Sequence, residues 1–203
     1  MRCSSCTSGR AAASGLVADS RPAGELRQTL FRLADLLDAD GVIYMIVGAL
    51  AVAMWGRPRA TADIDVTLRT DAAHLEALAA RAEGVGLAID REWLEWQPLL
   101  RDHHRRLTRP GAIVDLMRTR DVHEDEALER RRYLPIDQRR LPFAAPDDLI
   151  VMKMKAGRPR DFEDAMSVLV AQQGILDEAY MVDWARRLGI ADELSYLLRE
   201  AGG

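Results

Sequence analysis

The hydrophobic residues change their spacing along the chain, and this predicts alternating helices and strands. Leucines from Leu26 to Leu37 recur at helical spacing, so residues 25–40 are predicted to form an amphipathic helix that covers one side of a sheet. Residues 42–47 are apolar on both faces, which is typical of a central strand that is covered on both sides. This combination indicates an α/β protein.

Residues 62–68 alternate strictly between polar and apolar positions, which predicts a half-buried strand. On such a strand Asp63 and Asp65 share one face with Thr67, while the apolar residues lie on the other. Two neighbouring carboxylates repel each other unless a cation lies between them, and a hard divalent cation such as Mg²⁺ prefers oxygen ligands. The pattern therefore predicts a metal site.

Gly48 follows the apolar strand directly and permits a tight turn, after which Ala49 to Met54 are good helix formers. A helix that begins here would present free N–H groups and the positive end of its dipole, which together bind phosphate. A plain turn between strand and helix is the alternative. The nearby aspartates favour the phosphate site.

A third carboxylate, Asp115, occurs within an otherwise apolar stretch. Residues 103–108 and 112–117 are predicted to be strands joined by a turn at residues 109–111, and Asp115 shares a face with other residues of the second strand. Burying a carboxylate without a partner costs several kcal/mol in order of magnitude, so a partner is expected. A metal and a structural ion pair are the two alternatives.

Other elements follow from capping and turn residues. Residues 71–83 are predicted to form a helix with Asp71 as its N-cap, and residues 85–90 a short strand; residues 92–98 are ambiguous between loop and edge strand. Further elements are predicted near residues 133–136 and 140–143 (strands) and near residues 146–156, 159–172, 177–187 and 191–200 (helices).

The predicted organisation has three parts. Residues 1–23 are expected to be a disordered leader, or upstream sequence added by a misplaced start, residues 24–145 a single α/β domain, and residues 146–203 a helical region that completes the site. Cys3 and Cys6 lie in the leader, and a lone Cys-x-x-Cys without further ligands is at best half a zinc site.

Histidine gives little support for another kind of metal chemistry. His103 and His104 are adjacent, so on a strand they point to opposite faces, and both are predicted to be surface residues rather than ligands. A metal-dependent phosphodiesterase would usually need His ligands, and the four in this chain are not suitably clustered.

The composition is that of a soluble globular protein. The 203 residues are 48% hydrophobic and 30% charged with a net charge of -4, and no apolar run approaches the roughly 20 residues needed to span a bilayer. No signal-peptide h-region is recognised, so a cytoplasmic location is expected. Residues 101–160 carry 15 Lys or Arg against 10 Asp or Glu. This basic surface either attracts a polyanion or is simply solvated.

The order of these elements resembles the minimal nucleotidyltransferase fold of the polymerase-β-like superfamily. That pattern is a hydrophobic strand, Gly-Gly or Gly-Ser, a helix and then Asp-x-Asp/Glu on the next strand; here it appears as Gly48-Ala49 followed by Asp63-x-Asp65, with Asp115 on a later strand. Ala49 departs from the pattern because it removes a hydroxyl contact and leaves only the backbone N–H. The resemblance implies a mixed sheet flanked by helices, with a helical C-terminal part.

A second resemblance lies in the helical region. Residues 153–164, from Lys153 to Asp164, look like the Lys…Arg-x-x-Asp-x-x-Asp segment of AbiEii-type bacterial nucleotidyltransferases, several of which are toxins of toxin–antitoxin pairs. An ordinary charged helix face with an Arg160 to Asp164 pair is the alternative.

The resemblance implies transfer of a nucleoside monophosphate from an NTP to a hydroxyl acceptor, with Mg²⁺ or Mn²⁺ as cofactor. The implied roles are these: Asp63 and Asp65 bind both metals; Asp115 binds the metal beside the acceptor hydroxyl; Gly48, Ala49, Arg59, Thr61 and Lys153 contact the phosphates; Asp161 and Asp164 position Lys153 or Arg158.

The acceptor is expected to be an RNA end, with tRNA as the first candidate, and a cognate antitoxin protein is a possible partner. The alternative is a catalytically weak nucleotidyltransferase-like module that binds or regulates through a partner protein. A missing carboxylate would favour that alternative. Asp63, Asp65 and Asp115 are all present, so the enzyme is expected.

Overall fold

The computed structural model describes residues 21–202, which form a mixed seven-stranded sheet flanked by helices, as predicted. In chain order the strands are β1 (Ile43–Ile46), β2 (Asp63–Arg69), β3 (Ala88–Ile89), β4 (His104–Arg109), β5 (Ala112–Arg118), β6 (Arg132–Ile136) and β7 (Arg139–Phe143). Across the sheet their order is β3, β4, β5, β2, β1, β7, β6.

The helices of the described residues lie between and after these strands. They are α1 (Arg21–Asp40), α2 (Gly48–Trp55), α3 (Ala72–Glu83), α4 (Arg91–Trp96), α5 (Val122–Arg130), α6 (Pro146–Ala156), α7 (Pro159–Ala171), α8 (Glu178–Leu188) and α9 (Ala191–Gly202), with a short 3₁₀ helix at Pro98–Leu100. Because α1 begins at Arg21, residues 21–23 of the predicted leader are helical. Its remainder, residues 1–20 with both cysteines, lies outside the described residues.

Strand pairing places the centre of the sheet at β2. This strand pairs in parallel with β5 and antiparallel with β1, and β1 pairs in parallel with β7. Hairpins extend both sides, because β4 pairs antiparallel with β5 and β6 with β7. The polar face of β2 therefore lies in the middle of the sheet.

The apolar face of β2 forms the core, as its alternation predicts. Ile64, Val66 and Leu68 are completely buried, and α1 and α3 pack against this part of the sheet. The leucines of α1 at positions 30, 33 and 37 are buried in the same cluster. Burial of each such side chain contributes about 1.5–3 kcal/mol, so this face fixes the register of β2.

The segment between α3 and β4 differs most from the predicted elements. Only Ala88–Ile89 is a strand within predicted residues 85–90, and the ambiguous segment contains a helix rather than an edge strand. The Asp90 side chain caps that helix by accepting a hydrogen bond from the Trp93 N–H at 2.9 Å. Along residues 21–202, no helix combines the length and apolar character that crossing a membrane requires.

Candidate active site

Asp65 on β2 and Asp115 on β5 occupy matching positions on neighbouring parallel strands. Asp63 is two residues earlier on β2, so it shares the face of Asp65. Asp63 is exposed, Asp65 is half-buried, and Asp115 is only 7% exposed. The sheet thus brings the three predicted carboxylates to one region, and their burial increases from Asp63 to Asp65 to Asp115.

The start of α2 lies against the Asp65 carboxylate. Gly48 has a φ of +62°, and a Cβ at this position would be 1.9 Å from Asp65 Oδ2. Only glycine fits here, because it lacks the Cβ and tolerates a positive φ. The preceding Val47 has no polar side chain with which to cap the helix, so the first N–H groups of α2 remain available beside the aspartate.

The pKa of Asp65 is raised above its usual range, first by burial and then by the negative charges of Asp115 and Asp63. The positive charges of Lys153 and Arg158 oppose this shift. The charged form of Asp65 is therefore short of positive charge. A bound cation would stabilise it.

Asp115 has protein partners, as the ion-pair alternative predicts. Arg106 donates from Nε to Oδ1 at 2.9 Å and from Nη2 to Oδ2 at 3.0 Å, and His104 Nε2 is 2.8 Å from Oδ1. Burial raises the pKa of Asp115, but the hydrogen bonds from His104 and Arg106 outweigh it and hold the pKa below its usual range. The protein therefore stabilises the ionised form of Asp115, in contrast to that of Asp65.

The prediction that His104 is a surface residue is wrong, whereas His103 is exposed. The His104 side chain is 14% exposed, and its ring centroid lies 4.5 Å from that of Trp93 on α4. The Arg106 guanidinium lies over the same Trp93 ring at 4.7 Å. Trp93 thus supports both partners of Asp115. The sequence alone does not reveal this role of Trp93, because it leaves the segment that forms α4 ambiguous between loop and edge strand.

Lys153 on α6 lies at the centre of a second charged cluster. Its Nζ donates to Asp161 Oδ1 at 2.9 Å and to Asp164 Oδ2 at 2.8 Å, and all three side chains are buried. Arg158 donates from Nε to Asp161 at 2.6 Å, and Arg59 donates to Asp164 through two nitrogens at 3.1 and 3.2 Å. Asp161 and Asp164 thus bind three cationic side chains between them: Arg158, Lys153 and Arg59.

These contacts separate the two sequence alternatives for residues 153–164. Asp164 bonds Lys153 and Arg59 instead of forming the Arg160 pair of an ordinary helix face. Burial raises the pKa values of Asp161 and Asp164, but hydrogen bonds from their cationic neighbours outweigh it and lower both. Both acids are therefore ionised and fix the position of Lys153.

The loop before β2 is tied to the C-terminal helices. Besides the Arg59 contact, the Arg57 N–H lies 3.4 Å from the Ser167 hydroxyl, and the Gln172 side chain donates to the Trp55 carbonyl at 2.7 Å. Thr61 Oγ1 accepts a hydrogen bond from the Asp63 N–H at 3.0 Å and so fixes the start of β2. The position of the loop that leads into β2 therefore depends on helices about a hundred residues later in the chain.

A divalent cation fits two of the carboxylates better than three. Within the described part of the chain, no group of three His, Cys, Asp or Glu side chains is arranged to hold a metal. Asp63 and Asp65 are neighbours on one face of β2, and neither forms a salt bridge with another of residues 21–202, while Asp115 is already bonded to Arg106 and His104. The carboxylate oxygens of Asp63 and Asp65 are suitable ligands for a cation bound at this face of β2.

A mixed sheet with paired aspartates on a central strand, facing a helix that begins at glycine, defines the protein as a nucleotidyltransferase-type fold. The sequence agrees. The family described as "Nucleotidyltransferase of unknown function (DUF6036)" matches residues 25–184, so the chain belongs to this nucleotidyltransferase family. By sequence, no curated protein matches the chain.

Solved structures with the same fold include three nucleotidyltransferase-type proteins. The antibiotic-resistance factor ANT(2'')-Ia is 14% identical with a TM-score of 0.56, over 89% of this chain and 98% of the other. An antigenic nucleotidyltransferase-like protein from Paracoccidioides brasiliensis is 16% identical, with a TM-score of 0.53 over 87% and 93%. The lincosamide adenylyltransferase LnuA is 15% identical, with a TM-score of 0.50 over 70% and 94%. They confirm the predicted fold class, and the AbiEii-type subdivision stays a prediction.

Proposed function

We propose that this protein transfers a nucleoside monophosphate from an NTP to a hydroxyl acceptor with the help of Mg²⁺ or Mn²⁺. The observation that carries the proposal is the contact between Gly48 and Asp65, which puts a carboxylate that lacks a cation beside the open N-terminus of α2. Such a site binds a metal and a phosphate next to each other.

Asp63 and Asp65 would hold the metal from the face of β2. A bound divalent cation neutralises the phosphates and lowers the pKa of a hydroxyl that contacts it. The protein supplies the preorganisation, because β2 is fixed in the centre of the sheet and its first residues are held by Thr61. Asp65 gains most from the cation, since its pKa is raised without one.

The phosphates of the NTP would lie between α2 and the charged cluster of α6 and α7. The N–H groups of Gly48 and Ala49 are placed to donate to them. Lys153 is held by Asp161 and Asp164, while the Arg158 side chain is 75% exposed and reaches outward. Arg59 is bonded to Asp164 at the other end of the same cluster, and Thr61 lies beside Asp63 at the start of β2; these two residues complete the proposed phosphate contacts.

Asp115 would accept a hydrogen bond from the acceptor hydroxyl. Arg106 and His104 keep it ionised, and a carboxylate with about four lone-pair positions still accepts a further hydrogen bond. In this arrangement Asp115 orients the hydroxyl and takes its proton as the new P–O bond forms. The leaving pyrophosphate departs on the side of Lys153. A direct bond from Asp115 to the metal beside the acceptor would require rearrangement of its ion pairs.

For the acceptor we propose an RNA end, tRNA first. Support comes from the excess of basic residues in 101–160, the part of the chain that contains Asp115 and Lys153. Small molecules are the rival class, because structures of similar fold include ANT(2'')-Ia in complex with adenylyl-2''-tobramycin and LnuA with lincomycin. An RNA acceptor and a small-molecule acceptor would require the same transfer chemistry.

The resemblance of residues 153–164 to AbiEii-type enzymes extends the proposal to a toxin with a cognate antitoxin. Expression of the wild type would then arrest growth, whereas the variant Asp63→Asn with Asp65→Asn would not. Co-expression of a small neighbouring reading frame would restore growth. Normal growth with active enzyme contradicts the toxin role and leaves the transfer reaction standing.

The transfer itself is tested with each α-labelled NTP, Mg²⁺, and either total RNA or a panel of aminoglycosides and lincosamides. The expected result is label on RNA and release of pyrophosphate, both lost in Asp63→Asn with Asp65→Asn. A control with the same charge change, Asp192→Asn with Glu193→Gln, alters exposed residues on α9 and keeps activity. Label on no acceptor with any NTP contradicts the enzyme and favours a binding module.

A further inference from the structure

A groove of about 510 Å³ lies away from the carboxylates, where β6 meets the end of α2 and the start of α6. Arginine and aromatic side chains line much of it: Trp55, Arg131, Arg132, Tyr133 and Arg140. The proposed transfer reaction uses none of these residues. The groove is therefore a separate feature of the surface.

The arginines of this groove carry charge that the protein does not neutralise. Within residues 21–202, neither Arg131, Arg132 nor Arg140 forms a salt bridge. Arg140 Nη2 donates to the Tyr133 carbonyl at 2.7 Å, and Arg131 Nη1 donates to the Leu128 carbonyl at 2.5 Å. Arg131 Nε is buried without an acceptor in the described structure. Neutral carbonyls thus orient the guanidinium groups of Arg131 and Arg140, and no acidic side chain of the described residues pairs with them.

Asp147 also lines the groove, but it is one acid beside three arginines, and it shares Arg130 with Asp148. Arg130 Nη2 lies 3.4 Å from Asp147 Oδ2, and the Asp177 N–H donates to Oδ1 at 2.7 Å. Asp147 therefore does not cancel the three arginines. The lining of the groove is therefore net positive and would attract an anionic ligand.

An aromatic ring lies among these charges. Tyr133 is 48% exposed, and the Arg131 guanidinium is 5.7 Å from its ring centroid. Exposed aromatic rings beside cations are the combination that binds single-stranded polynucleotides, because the bases stack while the phosphates meet the charges. An acidic protein segment would use the arginines but would leave the ring without a planar partner.

Strand register relates the groove to the carboxylates. Arg132 pairs with Phe143, Phe143 with Ile46, and Ile46 with Val66, which directly follows Asp65. Arg132 is thus three strand spacings, about 14 Å, from β2 and shares the face of Val66, so the next residue, Tyr133, lies on the face of Asp65. A short run of nucleotides can span this distance from the groove to the site.

We propose that this groove binds a single-stranded segment of the acceptor RNA, with phosphates on Arg131, Arg132 and Arg140 and a base on Tyr133. The proposal rests on the RNA acceptor of the proposed function. The groove would hold the strand a few nucleotides from the end that receives the nucleotide. It would therefore govern affinity for RNA and leave the chemistry at Asp65 unchanged.

Binding of a labelled oligoribonucleotide is measured without NTP over a series of salt concentrations. For Arg132→Gln with Arg140→Gln we expect affinity at low salt to fall at least tenfold and the salt slope to decrease by about 1.4, since each single-strand phosphate contact contributes about 0.7. The control Arg91→Gln with Arg187→Gln removes the same charge from arginines that are paired with Glu83 and Asp183. It keeps wild-type affinity.

Two further arms test the base contact and the type of strand. Tyr133→Ala is expected to weaken RNA binding roughly tenfold with an unchanged salt slope, because stacking releases no counterions. A duplex of the same RNA is expected to bind more weakly, because its paired bases are not free to stack on Tyr133. Equal losses in the two arginine pairs, no RNA binding by the wild type at low salt, or tighter binding of the duplex would each overturn the proposal.

Failure of the transfer reaction is distinguishable from failure of the groove. With a dinucleotide acceptor, which is too short to occupy both places, the groove variant transfers at the wild-type rate. If wild type binds RNA through the arginines but transfers no nucleotide to any acceptor, the proposed function is wrong and the groove stands. If the dinucleotide reaction falls with the groove variant, the groove is part of the catalytic site and this proposal is wrong.

Discussion

Asp65 and Asp115 lie opposite each other on β2 and β5, and their pKa values are shifted in opposite directions. Burial raises the pKa of Asp65, aided by Asp115 and Asp63, whereas Arg106 and His104 overcome burial and lower that of Asp115. One carboxylate therefore needs an added cation, and the other already has its cations from the protein. In the proposed reaction, this asymmetry assigns Asp65 to the metal and Asp115 to the acceptor.

Metal should stabilise the protein through Asp63 and Asp65. A ligand at about 100 times its dissociation constant adds roughly 2.7 kcal/mol to the free energy of unfolding. In Asp63→Asn with Asp65→Asn this gain disappears, while the metal-free variant is no less stable because two repelling charges are gone. Thermal melts with and without Mg²⁺ measure both effects. The same metal shift in the variant would place the metal elsewhere.

Asp115→Asn should separate nucleotide binding from transfer. The proposed NTP contacts lie on α2, α6, α7 and the loop before β2, and Asp115 is not among them. NTP affinity is therefore expected to stay within about twofold, while transfer falls by roughly 10²–10⁴ as expected for loss of a catalytic base. Equilibrium binding of NTP and single-turnover transfer give the two values. Undiminished transfer would remove Asp115 from the mechanism.

Lys153→Met should lower both NTP affinity and stability. From the sequence alone, a lysine that serves a ligand leaves the melting temperature unchanged, but the structure buries Lys153 between Asp161 and Asp164. Breaking a buried ion pair costs 3–5 kcal/mol, and the remaining arginine partners keep the loss near the lower end, about 3 kcal/mol. Urea unfolding measures it. Lys155→Met, a neighbour that is more exposed, should lose less; equal losses would contradict the role of burial.

The acid sensitivity of the charged cluster has a definite sign. Hydrogen bonds from cations outweigh burial and lower the pKa values of Asp161 and Asp164 below their ordinary 3.8. Their stabilisation is therefore complete well above pH 3.8 and is lost as pH falls through the lower folded pKa values. The stability difference between wild type and Asp164→Asn should shrink from pH 6 to pH 3 in urea titrations. A difference that widens toward acid pH would reverse the assigned shift.

Gly48→Ala should disrupt the start of α2 more than a comparable glycine substitution. The new Cβ would collide with the Asp65 carboxylate, in addition to the roughly 1–2 kcal/mol of a positive φ. Gly41→Ala is the matched control, because Gly41 has a φ of +70° and nothing within 4 Å of its Cβ position. We expect a larger fall in melting temperature and weaker NTP binding for Gly48→Ala only. Similar effects of the two would argue against the contact.

Local patterns in the sequence were sufficient for much of the fold. Alternation over residues 62–68 placed Asp63 and Asp65 on one face, and Asp71 caps α3 as predicted by accepting a hydrogen bond from the His74 N–H. These features depend on neighbours within a few residues, which a sequence shows directly. The six-residue helix α4 was not predicted, because it is too short for a helical period to appear in the sequence.

Partners across the fold were harder to find. The Arg106 to Asp115 pair follows from counting back along the hairpin from Arg109 and Ala112, so a firm turn assignment would have shown it. The contact between Arg59 and Asp164 spans 105 residues and depends on how α7 packs. No local pattern encodes such a pairing, because it is a property of tertiary packing.

The long span between Arg59 and Asp164 has a consequence for synthesis. A ribosome completes the acidic strand early, but the helices that hold Lys153 and anchor the loop before that strand emerge about a hundred residues later. Until residues 153–164 have left the ribosome, Lys153 and the Asp164 anchor of Arg59 are both missing beside the acidic strand. Folding of that strand during synthesis therefore precedes completion of the charged cluster that faces it.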